Sequence, residues 1–224
     1  MTKIQSGANM IGGTNSHDAS LPVPESMHIY DHVISLGPNC AVAHNLRRFF
    51  RERYAFPFDW WITYDANGFA CFLKDLDLDK LYNPNELHLG ADKQSVIHST
   101  YGVEFYHEFA SASFNERAPV VLDYLAGATS ARRRTSYLVD RLKMLHRDSS
   151  RLLFVRATEP CEIIPGALKK SFPLANWEMA FLGRVQTSQG DWRGDPSVWD
   201  TTLKRLSATL DSARLPSPTL ELHP

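Results

Sequence analysis

Cys40 is the residue whose setting most invites chemistry. The run His32-Val33-Ile34-Ser35-Leu36 has the apolar pattern of a strand, Gly37-Pro38-Asn39 reads as a turn, and Cys40-Ala41-Val42-Ala43-His44 opens a helix. The first N–H groups of a helix lack internal partners and carry partial positive charge. A thiol placed there has its thiolate favoured, and the thiolate is the nucleophilic form. The order strand, turn, cysteine, helix therefore predicts an activated nucleophile. Asn39 offers either a helix cap or a side-chain amide for a developing oxyanion. The plainer alternative is a small first-turn residue behind a capping asparagine.

A thiol nucleophile needs an imidazole within hydrogen-bond reach, and that ring must be oriented. Three of the nine histidines are candidates. His107, in Phe105-Tyr106-His107-Glu108-Phe109, ends a strand pattern among aromatics and is the first choice as base and then acid. His44 lies four residues after Cys40 on the same helix face. His98 falls on the core side of its strand and ranks third. Asp59 and Glu108 are the carboxylates available to orient a ring. Asp59 sits in the aromatic run Phe56-Pro57-Phe58-Asp59-Trp60-Trp61 and, once buried, needs partners. Those are either His107 or, more commonly, backbone amides that fix the loop. Glu108 points away from His107 in a regular strand.

Weaker signals surround this set. Cys40 and His44 have a C-x-x-x-H spacing, but no second ligand pair accompanies them, so neither metal nor cofactor is expected. Gly37-Pro38-Asn39 lacks the glycine series of a phosphate loop. The cysteines show no C-x-x-C spacing; Cys71 reads as buried helix core and Cys161 as a loop residue without a role. Arg132-Arg133-Arg134 reads as a solvated helix start. Trp192-Arg193-Gly194-Asp195 makes a turn which, with Trp199, would rim a carbohydrate or peptide groove or simply pack onto the fold.

Regular elements must hold these residues. Strands are expected over His28–Leu36, Val96–Phe109 with a turn at Gly102, Arg151–Arg156 and Trp177–Val185. Helices are expected over Cys40–Arg51, Phe69–Leu76 with Asp65 as cap, Phe114–Leu125, Ser130–His146, Gly166–Ser171 and Pro196–Ser212. Strands alternating with helices give an α/β or α+β class, a single domain with a central sheet flanked by helices. That domain spans 28–213, with a polar extension at 1–27 and a frayed tail at 214–224.

The 224 residues are 43% hydrophobic and 22% charged with a formal net charge of -1, the composition of a globular domain. No charge excess points to nucleic acid or an anionic membrane, and no apolar run approaches the roughly 20 residues of a spanning helix. The opening residues lack a signal-peptide pattern, so the cytoplasm is the expected location.

Taken in order, Ser35-Leu36-Gly37 through Asn39-Cys40, the arginine-bearing helix after it, Pro57-Phe58-Asp59-Trp60, His107-Glu108-Phe109, Leu153-Phe154-Val155-Arg156 and the late Trp-x-Gly-Asp turn form a pattern. It resembles a bacterial family of unknown function whose members are described as papain-like cysteine peptidases, over about His28 to Leu206. The resemblance implies Cys40 as nucleophile, His107 as its histidine and Asp59 as the matching aspartate. The family triplet is often His-Asp-Phe, and here it is His-Glu-Phe. The expected function is therefore a cysteine hydrolase (peptidase, amidase or acyl transferase) acting on a peptide, amide or related substrate. The alternatives are a surface-polysaccharide enzyme that binds glycan through its tryptophans with Cys40 structural, and a non-catalytic interaction domain.

Overall fold

The computed structural model of the protein describes residues 30–91, 93–109, 123–174, 176–185 and 191–212. The expected 1–27 extension and 214–224 tail lie outside them, as does all but the end of the helix expected over 114–125. The chain runs β1 (His32–Ser35), α1 (Cys40–Phe50), β2 (Trp61–Thr63), α2 (Ala66–Asp75), α3 (Leu78–Leu81), β3 (Leu87–Leu89), β4 (Val96–His98) and β5 (Val103–Phe105). It continues through α4 (Tyr124–Arg147), β6 (Leu152–Arg156), α5 (Ile163–Ser171), β7 (Trp177–Phe181) and α6 (Pro196–Ser212). Among the described residues no helix is long and apolar enough to cross a membrane.

The architecture is the mixed α/β class expected, with the strands divided between two sheets. A parallel sheet has the order β1-β6-β7, and an antiparallel one the order β2-β5-β4-β3. β6 is the middle strand of the first. All five of its residues are buried, which is why Leu-Leu-Phe-Val-Arg shows no polar alternation. Val33 opposes Leu153 and Ile34 opposes Phe154 in the β1–β6 register. Val33, Leu153 and Val155 face Ala41, Val42 and Leu46 of α1 and Trp199 and Leu203 of α6. Ile34, Leu152 and Phe154 face the other way, onto Ile164, Ala167 and Leu168 of α5 and the aromatic core around Phe58, Trp61 and Phe72.

The antiparallel sheet is built from short strands around Gly102. That residue turns β4 into β5 with φ +59°, and a Cβ there would lie 2.3 Å from the Cβ of Asp65. Asp65 caps α2 as expected, its carboxylate accepting from the N–H groups of Asn67 at 2.9 Å and Gly68 at 3.2 Å. One expectation fails on this helix. Phe69, Ala70, Phe72 and Leu73 form its buried face, so Cys71 falls on the outer side and is exposed.

Candidate active site at the start of helix α1

The helix after β1 lies on one face of the parallel sheet, and the helix after β6 lies on the other. Two neighbouring parallel strands whose connections leave to opposite faces open a crevice at their carboxyl ends, where ligands of open α/β sheets bind. Cys40 stands at that crevice. Gly37 reaches it with φ +78°, and a Cβ on Gly37 would come within 2.9 Å of the Thr63 hydroxyl, so only glycine brings the turn this close to β2.

The turn is tied on three sides. The Ala157 N–H donates to the Gly37 carbonyl at 3.0 Å, and the Thr63 N–H donates to the Pro38 carbonyl at 2.8 Å. From below, the Arg156 guanidinium donates to the Leu36 carbonyl and, at 2.8 Å, to the Thr63 hydroxyl. Arg156 thus fastens β6 to the turn and to the second sheet. It is 2% exposed, its burial depresses its pKa, and its Nε has no partner among the described residues. Sequence reasoning read it only as the end of a strand. The available signal was a full positive charge closing an otherwise unbroken apolar run.

Cys40 is half-buried at the first position of α1, where the backbone amides of Cys40 and Ala41 act to lower the pKa of its thiol. Those amides favour the thiolate, but burial outweighs them and the thiol pKa is raised. The resting group is a neutral thiol, where helix-start geometry alone predicts a thiolate. Asn39 occupies the cap position, yet its side chain caps nothing, and its buried Oδ1 has no partner among the described residues.

The imidazoles are placed as follows. His107 is exposed just past β5, with its ring 5.4 Å from that of Trp60. His44 is half-buried one turn along α1 from Cys40, 5.3 Å from the Trp192 ring. Trp192 in turn lies 6.5 Å from Trp60, so four rings run in series from His44 to His107. No hydrogen bond joins Cys40 to either histidine among the described residues. Partial desolvation lowers the pKa of both rings, that of His107 against Trp60 and that of His44 with a further contribution from Arg193 and Arg48. His98 is structural: its Nε2 meets the Lys80 carbonyl at 3.1 Å, its Nδ1 accepts from the Tyr101 N–H at 3.2 Å, and it stacks on Tyr101.

Among the described residues, neither Asp59 nor Glu108 hydrogen-bonds a histidine. Asp59 is 1% exposed, accepts from the Phe56 N–H at 2.9 Å, and lies 3.9 Å from Arg47. Burial pushes its pKa up to about 7, so it is no firm anion near neutrality. Glu108 is buried and accepts from the Trp61 indole at 3.1 Å. Arg134 is exposed as expected, though inside α4 and not at a helix start, and it donates to the Glu108 backbone carbonyl and lies 3.9 Å from its carboxylate. Trp60, His107, Glu108, Arg134 and Leu138 line a cleft of about 360 Å³.

A second cavity, of about 280 Å³, lies at the turn before Cys40, between Pro38, Asn39, Val42, Thr158, Arg184 and Trp199. Trp199 is buried, not a rim residue, and its indole N–H has no partner among the described residues. Arg184 is the cation of this cavity that the sequence pattern gave no reason to single out. The fold and site define a mixed α/β protein with a cysteine at the switch-point crevice of a parallel sheet. No family model, curated protein or solved structure matches the chain, so its chemistry is read from these residues themselves.

Proposed function

We propose that the protein is a thiol-dependent hydrolase or acyl transferase with Cys40 as nucleophile. The observation that carries this reading is the position of Cys40, half-buried as the first residue of α1 with the helix-start amides around it, past the carboxyl end of β1 in the parallel sheet. The same amides suit an oxyanion better than a resting thiol, because charge develops there only as the carbonyl is attacked. In the first step sulfur bonds to the carbonyl carbon, the bond to the leaving group breaks, and the thiol proton passes to that group. Water then cleaves the thioester and releases the acid. His44 is the base in this reading, because it is the imidazole on the nucleophile's own helix face and is held neutral. His107 belongs with Trp60 in substrate contact.

The test uses p-nitrophenyl acetate as a general acyl donor on a Cys71→Ser/Cys161→Ser background. The expected result is a burst of nitrophenolate, one acetyl group per chain on Cys40 by mass spectrometry, and loss of both in Cys40→Ala. Acylation that survives Cys40→Ala, or that proceeds no faster than for a free thiol, overturns the reading.

A glycan-binding reading is favoured by one observation, the exposure of Trp60 and Trp192, 36% and 47%, in adjoining positions. Exposed paired indoles are unusual on a surface without a partner. Intrinsic-fluorescence titration with neutral oligosaccharides distinguishes it: saturable quenching lost in Trp60→Ala and unchanged in Cys40→Ala would support glycan recognition.

A further inference from the structure

The cavity at the Pro38–Asn39 turn continues along the sheet edge. β7 pairs only with β6 among the described residues, so its outer edge is open. α6 turns Trp199 and Leu203 into the core, which leaves the neighbouring helix face toward that edge. Between them runs a groove of about 650 Å³, the size of a small-molecule site, whose apolar walls include Phe181, Leu182, Val185, Val198, Leu206 and Leu210. Two cations stand on it, Arg184 after β7 and Arg205 on α6, both exposed and neither with a carboxylate partner among the described residues. Arg184 and Val185 also line the 280 Å³ cavity with Pro38 and Asn39, so groove and cavity meet at Arg184.

An apolar trough with unpaired guanidinium groups on its rim is complementary to an amphiphilic anion: the chain removes apolar wall from water, and the charged end takes the guanidinium donors. We propose that this groove binds the hydrocarbon chain of a long-chain acid, with its carboxylate at the Arg184 junction toward the turn before Cys40. The identification of that ligand as a reaction product rests on the proposed thiol chemistry; its binding does not. Hydrolysis of a long-chain ester at Cys40 would leave a carboxylate facing Arg184.

The intact protein is titrated with cis-parinarate, a fluorescent long-chain carboxylate, and with its methyl ester. The expected result is saturable binding of the acid and about tenfold weaker binding in Arg184→Ala/Arg205→Ala, as for loss of a charge-assisted contact. Val198→Trp, which fills the trough from an exposed position, should block binding, and Cys40→Ala should leave it unchanged. No saturable binding, equal affinity for the methyl ester, or indifference to both variants overturns the proposal. Binding that appears only after removal of residues 213–224 also overturns it, by giving the groove to the chain's own end. Failure of acylation at Cys40 with parinarate binding intact would remove the thiol chemistry and leave the ligand site standing.

Discussion

The two sheets treat their polar groups in opposite ways. In the antiparallel half, three of the polar side chains singled out by the sequence are spent on the fold, while His107 stays exposed. His98 has both ring nitrogens in hydrogen bonds, Glu108 receives the Trp61 indole, and Asp59 receives the Phe56 amide. At the carboxyl ends of the parallel sheet, Asn39 Oδ1, Arg156 Nε and Trp199 Nε1 are buried without partners among the described residues, beside a half-exposed thiol. Buried polar groups normally find partners, and leaving one unpaired costs about 1–3 kcal/mol. Arg141 Nε, His146 Nδ1 and Asn176 Oδ1 are also unpartnered among the described residues, but away from any thiol; the gathering of three such groups around the turn before Cys40 marks that end of the parallel sheet as the site.

The largest expected effect tests the first half of that comparison. Asp59 has a folded pKa of about 7 against 3.8 for the free group, so the folded state binds more protons between those values. Stability therefore falls as pH rises through that window, by at most about 4 kcal/mol. Asp59→Asn keeps an oxygen for the Phe56 amide and removes the ionisation. Urea titrations should show the variant more stable than wild type at pH 8, equal to it near pH 4, and flat in between. If Asp59 instead orients a catalytic imidazole as an anion, the variant will be destabilised at pH 8 and Cys40 acylation will fall with it.

The next effect separates the two histidines. His44→Ala should slow Cys40 acylation by about a hundredfold, the scale of a lost general base, and His107→Ala by less than about threefold. Because burial raises the thiol pKa and lowers that of His44, no thiolate–imidazolium pair exists at rest. Iodoacetamide reactivity of Cys40 should then climb through pH 8 and 9 without a plateau near neutrality. A plateau near neutrality, abolished in His107→Ala, would restore His107 as partner and place the site between the two halves.

Much of this was legible in the chain. The strand–turn–helix at Cys40, the Asp65 cap, the turn at Gly102 and the helix Pro196–Ser212 follow from local pattern: apolar period, cap residue and glycine. What was not legible depends on distant pairing. Arg156 acts through Leu36 and Thr63, 120 and 93 residues away, and no local pattern records such partners. The division into two sheets is equally non-local, because it turns on which strands pair. The sign of the Cys40 shift was hidden for the same reason: helix-start amides are local, while the burial that outweighs them comes from the assembled core.

The smallest expected effect asks whether the satisfied half is silent in function. His98→Phe keeps the stack on Tyr101 and strands the Lys80 carbonyl and the Tyr101 N–H. The cost should be about 1–3 kcal/mol by urea titration, the price of two broken hydrogen bonds near a sheet turn. Burial lowers the His98 pKa, so wild type loses stability as pH falls below about 6.5, and the variant should lose that dependence. Cys40 acylation should stay within about twofold of wild type, because β4 touches the nucleophile only through β5 and β2. A larger loss of acylation would mean that the antiparallel sheet transmits strain to the Thr63–Pro38 bond, and the division between a structural half and a reactive half would have to be redrawn at β2.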